Sequence, residues 1–207
     1  GKTFSTYWMH TGHLLVDGKK MSKSLGNVYR LQDIENKFPE KKNLIYRAFR
    51  MMCLQNRYRE NFNFTFTRLE SAMATIESLD NTLKRIKSYA PRNTKVRREF
   101  RNELQESVQR FVSALENDID TVIALTEVFE LTNRINRDID DVSLTTKEVS
   151  SVIELLKSWD MVMGVINWSL LEDSLIPESI TTLAQERIEA KKNKNYTRSD
   201  EIRKEIE

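Results

Sequence analysis

One cysteine, two histidines, three prolines and five glycines among 207 residues set the first limits on this chain. The single Cys53 excludes an internal disulfide and fits a reducing, cytoplasmic setting. Its position in "RAFRMMCLQ", among large apolar residues, reads as buried packing rather than as a nucleophile. His10 and His13 stand at His-x-x-His spacing, but two ligands are too few for a metal centre and no cysteine lies near them. No stretch approaches the roughly 18 apolar residues of a membrane span, so no membrane partner is expected, and no signal-peptide pattern opens the chain. The start lacks an initiator methionine and runs straight into motif-like residues, so a fragment of a longer protein is expected.

What remains is globular in composition, 39% hydrophobic against 31% charged, which argues against disorder throughout. The net charge of +2 identifies no partner, but its distribution is uneven. Residues 84–101 carry eight Lys/Arg and one Glu, a segment suited either to facing a polyanion or to a solvated linker. Four of the five glycines lie in the first 26 residues, and the composition shifts after Asn27. Before that point, short aromatic and apolar runs broken by glycine predict a strand or two leading into a loop.

After it the helical period dominates, and Pro39, Pro91 and Pro177 fall between periodic segments, as helix boundaries do. Phe66, Leu69, Met73, Ile76, Leu83 and Ile86 form one stripe, and Phe100, Leu104, Val108, Phe111 and Leu115 a second. Val122, Leu125, Val128 or Phe129, Thr132 and Ile135 form a third, after Asp120 or Thr121 as N-cap. Thr145 to Glu148 has capping-box spacing ahead of Val149, Val152, Leu156, Trp159 and Met163. Four such stripes on short connections predict an up-and-down helical bundle. A further helix is expected from Pro177 through Ile188, then a last one carrying Ile202 and Ile206, with Thr197 or Ser199 as its cap.

The chemistry concentrates in "DGKKMSKSLGN", residues 17–27. Gly18 and Gly26 stand like hinges, Met21 and Leu25 are the only residues apolar enough to be core, and Lys20, Ser22, Lys23 and Ser24 offer cations and hydroxyls. That inventory suits a phosphate chain. Gly1-Lys2-Thr3 matches only the end of a P-loop, without its upstream glycine, strand or helix.

Lys20-Met21-Ser22-Lys23-Ser24 resembles the signature loop of class I aminoacyl-tRNA synthetases, a match that arises by accident in roughly one chain of this length in ten thousand. The lead-in "GKTFSTYWMHTGHLLVDGKKMSKSLGN" is similar to the cysteinyl-tRNA synthetase family, with its Gly-Lys-x-Phe and Tyr-Trp-x-His. "RYRENFNFT" resembles that family's His-Tyr-Arg-Ser-Pro-Leu-x-Phe-Ser, with Arg57 for histidine, Glu60 for serine and Asn61 for proline. "LENDIDTVIAL" resembles Met-x-Asp-Asp-Phe-Asn-Thr-Pro-Glu-Ala, with Asp120 for asparagine and Val122 for proline. The tail "RIEAKKNKNYTRSDEIRKEI" resembles a segment that takes part in reading the anticodon.

The resemblance implies the end of a Rossmann-type catalytic domain with its signature loop in residues 1–36. An antiparallel, tRNA-binding helical bundle follows in 37–165, and the start of a small anticodon-binding tail in 166–207. It implies ATP-dependent activation of cysteine and transfer to tRNA(Cys), with Lys23 on the ATP phosphates, Lys20 assisting, and Ser22 and Ser24 donating hydroxyls or bracing the loop. Anticodon contacts fall on Lys191, Tyr196, Asp200 and Arg203, although a solvated Lys191 and a Tyr196 that only covers the last helices fit the residues as well. ATP with Mg2+ is implied, as is a Zn2+ whose ligands lie upstream, so the chain alone is expected to be inactive; a monomer is expected. Two rivals stand beside this reading. A non-catalytic helical RNA-binding module would use the loop only to grip phosphate. The paralogous ligase of cysteine and an amino-sugar inositol has no use for a tail at 187–206.

Overall fold

The computed structural model describes residues 3–91, 96–172, 186–188, 190–191 and 196–206. It divides into two units, Gly1–Asn167 and Trp168–Glu207.

The first unit opens with a small sheet. Strands β1 (Leu14–Val16) and β2 (Lys19–Lys20) form a hairpin, and β3 (Phe62–Phe64) lies parallel to β1 on its other side. A parallel neighbour needs a crossover connection. Helices α1 (Leu31–Lys37) and α2 (Lys42–Leu54) supply it. Then come α3 (Phe66–Ser88), α4 (Arg98–Glu116), α5 (Thr121–Asp140) and α6 (Thr146–Met163), the four helices that the apolar stripes predict. The mainly helical architecture is as expected. The parallel β3 and the helix α2 are additions, although Ile45, Ala48, Met51 and Met52 already carry α2's buried face in the sequence.

Three helix starts, those of α3, α5 and α6, have a side-chain cap. The Thr65 hydroxyl accepts the Arg68 N–H at 3.1 Å, and the Asp120 carboxylate accepts the Ile123 N–H at 3.1 Å. Thr145 and Glu148 form the reciprocal pair expected of them, at 3.1 and 2.9 Å. Each such cap supplies a partner to a helix-end N–H that otherwise has none, worth about 1 kcal/mol.

Packing then joins the helices. α2 lies along α3, α4 along α5, and α3 also meets α5. Phe111 on α4 stacks on Trp159 of α6, ring centres 4.7 Å apart. Arg47 and Arg50 reach from α2 to the end of α6, donating to the carbonyls of Val165 and Met163 at 2.7 Å each, and Arg47 also pairs with Asp80. These guanidinium groups satisfy carbonyls at and just beyond a helix end.

Three expectations are corrected. Cys53 is exposed, not buried: at 100° per residue Met51 and Met52 take the core direction of α2 and Cys53 turns past it. Its surroundings still remove enough water to raise the thiol above its ordinary value, against the lowering effect of Arg50. On α4, Val108 is exposed and Ser107 is buried in its place, because Phe100, Ser107, Phe111 and Ala114 keep the 3.6-residue period. The Ser107 hydroxyl lies 2.8 Å from Glu127, which also receives Arg110. In the second unit α7 (Tyr196–Ile206) begins at Tyr196, so Thr197 and Ser199 lie inside the helix rather than at its cap. Ile202 is buried as expected. Residues 186–188 and 190–191 are helical; most of the helix expected from Pro177 lies outside the described residues, as does the Ile206 side chain.

The basic segment is partly absorbed by the bundle. Arg85 binds Asn136 and Asp140. Arg97 holds Glu148 and Asp138 at 3.2 and 3.0 Å, and Arg134 also bonds Asp138. Lys84, Arg98 and Arg101 are exposed, and 92–95 lie outside the described residues.

Burial opposes ionisation of Glu148. The backbone N–H groups of Arg97 and Thr145, with the Arg97 guanidinium, outweigh it and bring the carboxyl below its ordinary 4.5. A depressed carboxyl stabilises the fold above its unfolded pKa and loses that contribution as pH falls through the folded one. Glu148→Gln, which leaves Arg97 with Asp138 as its remaining charge partner and takes the negative charge from the two backbone N–H groups, is therefore expected to cost about 2 kcal/mol at neutral pH. Urea melts at several pH values should show the gap to the parent protein narrowing as pH falls below 4.5.

Candidate active-site loop

The loop begins at a two-residue turn. Val16 pairs with Lys19 across Asp17 and Gly18, whose φ angles of 49° and 73° are both left-handed. Asp-Gly is the preferred dipeptide for a type I′ hairpin, a signal present in the sequence that the expectation of a simple hinge passed over. The turn is tied to β3: the Asp17 N–H donates to the Phe64 carbonyl at 3.1 Å, and the Gly18 N–H to the Asn63 side chain at 2.8 Å.

Beyond β2 the chain closes on itself. Lys23–Leu25 forms one 3₁₀ turn, ended by Gly26 at φ 64°, whose N–H bonds the Lys23 carbonyl at 3.2 Å. The Asn27 amide oxygen accepts the Ser22 N–H at 2.8 Å, and its amide nitrogen donates to the Lys20 carbonyl at 3.3 Å. The Ser22 and Ser24 hydroxyls bond each other at 2.7 Å. Lys20 and Lys23 project to solvent, and among the described residues neither is paired with a carboxylate. Met21 is half-buried, whereas Leu25 is 59% exposed and no part of the core.

Tyr29, two residues past the loop, belongs to an aromatic cluster. Tyr29 meets Phe66 edge-on at 5.2 Å, Phe64 meets Phe66 at 5.3 Å, and the Lys37 ammonium sits 3.6 Å above the Phe66 ring.

The segment before β3 holds the strand ahead of the loop. The Gly12 N–H bonds the Tyr58 carbonyl at 2.8 Å, and the His13 N–H bonds the Asn61 side chain at 2.9 Å. A Cβ at Gly12 would stand 2.1 Å from the Glu60 carbonyl oxygen, so only glycine allows this approach. On its other side the segment grips the turn between α4 and α5. Arg57 pairs with Asp120 at 3.0 Å, and Arg59 with Asp118 at 2.6 Å. Bonds from Arg59 and from the Tyr58 hydroxyl hold the Asp118 carboxyl down at about 2. Asp118 and Ile119 both have positive φ, 57° and 55°, a conformation costly for a β-branched residue.

The other sequence candidates are placed as follows. Ser22 and Ser24 join Lys20 and Lys23 in the one loop. In the second unit Asp200 and Arg203 are exposed, three residues apart on α7, with Tyr196 at its first position; Lys191 is exposed and precedes that helix. The Tyr196 side chain, and Gly1 and Lys2 of the P-loop-like tripeptide, lie outside the described residues. His10 stacks on Trp8, and no group of three or more His, Cys, Asp or Glu among the described residues is placed to hold a metal. Asn27, Asn61 and Asn63 were given no role by their sequence pattern, although Asn27 closes the signature motif itself.

Residues 1–74 match the family of class I (C) tRNA synthetase catalytic domains, and residues 110–167 match the DALR domain. The stapled Lys/Ser loop and the helices behind it are thus those of a class I synthetase. Along 98% of its length the chain is 34% identical to a cysteine–tRNA ligase of Chlamydia caviae, and along 98% it is 35% identical to that of Protochlamydia amoebophila. Along 99% it is 34% identical to that of Leptospira interrogans. The chain belongs to the cysteinyl-tRNA synthetase family. It spans 41% to 43% of the length of these relatives.

Gly12→Ala is expected to force β1 and β3 apart and to destabilise that sheet by about 2 kcal/mol, the usual penalty of overpacking. Amide hydrogen exchange should quicken at Phe62 and Phe64 and stay unchanged in the middle of α5.

Proposed function

We propose that this chain is the part of a cysteine–tRNA ligase that steadies the ATP phosphates and carries the tRNA. The observation that carries the reading is the pair of solvent-facing ammonium groups, Lys20 and Lys23, unpaired with carboxylates among the described residues, on a loop whose backbone is closed by Asn27. The cysteine carboxylate attacks the α-phosphorus of ATP, the bond to the bridging oxygen of the β-phosphate breaks, and pyrophosphate leaves with the negative charge. Lys23 lies against the β- and γ-phosphates and meets that charge as it grows, so it lowers the transition state more than the ground state. Lys20 assists. The Ser22 and Ser24 hydroxyls, already bonded to each other, donate to phosphate oxygens or brace the turn. A hydroxyl of the 3′-terminal ribose of tRNA(Cys) then attacks the carbonyl carbon of the cysteinyl-adenylate, the bond from that carbon to the phosphate oxygen breaks, and AMP leaves.

Mg2+ enters with ATP as part of the substrate. Zn2+ has no fitting donor set among the described residues, and no step here runs through it. Residues 1–36 serve as the end of the catalytic domain, 37–165 as the tRNA-binding bundle and 166–207 as the start of an anticodon reader. In the reader Tyr196 stacks on a base, Asp200 accepts from a base edge, and Lys191 and Arg203 hold phosphates. The exposure of Lys191, Asp200 and Arg203 supports this reading. The protein acts in the cytoplasm as a monomer; no helix among the described residues is long and apolar enough to cross a membrane.

In the full-length protein, Lys23→Ala is expected to slow cysteine-dependent ATP–pyrophosphate exchange about 100-fold, the usual loss when one donor to developing charge is removed. An unchanged rate would remove Lys23 from the reaction. Binding of tRNA(Cys) should weaken when its anticodon is altered, and Tyr196→Ala should abolish that difference. If both transcripts bind equally and fall together with salt, the contact is only phosphate attraction.

A further inference from the structure

We propose that Asn27 is a positioning residue for adenylate formation, its carboxamide setting the geometry in which Lys23 meets the departing pyrophosphate. The inference rests on the functional reading above and adds to it a residue that touches no substrate. Among the described residues, Asn27 is the one side chain that hydrogen-bonds the backbone of residues 20–27. It does so twice, with opposite polarity, accepting the Ser22 N–H at 2.8 Å and donating to the Lys20 carbonyl at 3.3 Å. The two bonds gather the backbone on either side of Met21, between the two lysines of the site.

The chemistry of the position is narrow. Asparagine is the shortest side chain offering an acceptor and a donor in one rigid plane. Aspartate keeps the acceptor for Ser22 but sets a carboxylate oxygen against the Lys20 carbonyl, and alanine loses both bonds. Upstream, the hairpin is already anchored through Asn63 to Gly18. Downstream, Gly26 turns the chain back at φ 64° so that Asn27 can reach the start of the loop. Asn27 therefore closes a loop whose other end is fixed. A lysine ammonium on a four-carbon stem has many rotamers, and holding its backbone limits where that charge can go. Small displacements of an oriented group carry large kinetic penalties.

The test is a double-mutant cycle in the full-length protein, read as kcat/KM for ATP in cysteine-dependent pyrophosphate exchange, with thermal midpoints for every variant. Asn27→Ala is expected to lower kcat/KM about tenfold when Lys23 is present. In the Lys23→Ala background it should change the rate by less than about twofold, since a residue that acts through Lys23 has nothing left to position. Asn27→Asp should fall between Asn27→Ala and the parent protein. Equal losses in both backgrounds, or a lowered thermal midpoint that accounts for the loss, would make Asn27 an ordinary folding residue and overturn the proposal. No loss with Lys23 present overturns it too. A Lys23→Ala variant as fast as the parent is a separate result: it refutes the functional reading, and the role of Asn27 falls with it.

Discussion

Strand β3 lies beside β1 with Leu14, Leu15 and Val16 opposite Phe62, Asn63 and Phe64, and just upstream the backbone at Gly12 runs against that of Glu60. Everything near the candidate site is hung from this parallel pairing. It fixes the hairpin through Asn63, sets Phe64 edge-on to Phe66, and brings residues 57–60 within reach of the turn between α4 and α5. A parallel neighbour is reached only after α1 and α2 have carried the chain across, so the sheet and the first helices depend on each other. The loop's position is thus a tertiary property, although its contents are local.

The cations divide by chemistry. Arg47, Arg50, Arg85, Arg97, Arg110 and Arg134 are all engaged by carbonyls or carboxylates of the bundle, several through two guanidinium nitrogens. A planar fork suits such fixed partners, whereas a lysine is a strongly hydrated point charge. Lys20 and Lys23 keep their charge outward. A net charge of +2 conceals this arrangement, because most arginines already have partners within the fold.

Where the chain departs from the pattern it resembles, three of its substitutions find partners. Arg57 stands in place of a histidine and Asp120 in place of an asparagine, and the two form an ion pair at 3.0 Å. Asn61 stands in place of a proline, and its side chain holds the His13 N–H. The departures join the catalytic end to the bundle rather than loosening that junction. Asp118, held ionised by Arg59 and Tyr58, reinforces the same junction across a turn of two left-handed residues.

Local information was legible wherever its cause is local. The stripes of α3 to α6, the caps at Asp120 and Thr145 and the signature pentapeptide were all readable, because helical period, capping and motif spacing act within a few residues. The sequence places Cys53 and Val108 in the core and passes over Ser107, because apolar character alone does not say which way a helix turns toward its neighbours. In the basic segment, spacing could not tell a structural Arg97 from a free Arg101, since Glu148 and Asp138 arrive from 41 to 51 residues away. By itself the sequence determined the helical periods, the cap sites and the chemical content of the loop. Only the tertiary structure decided the β1–β3 pairing, the inward turn of Ser107 and the assignment of arginines to the fold. Those outcomes depend on which distant backbones and charges share one place, and the local pattern of residues does not encode that.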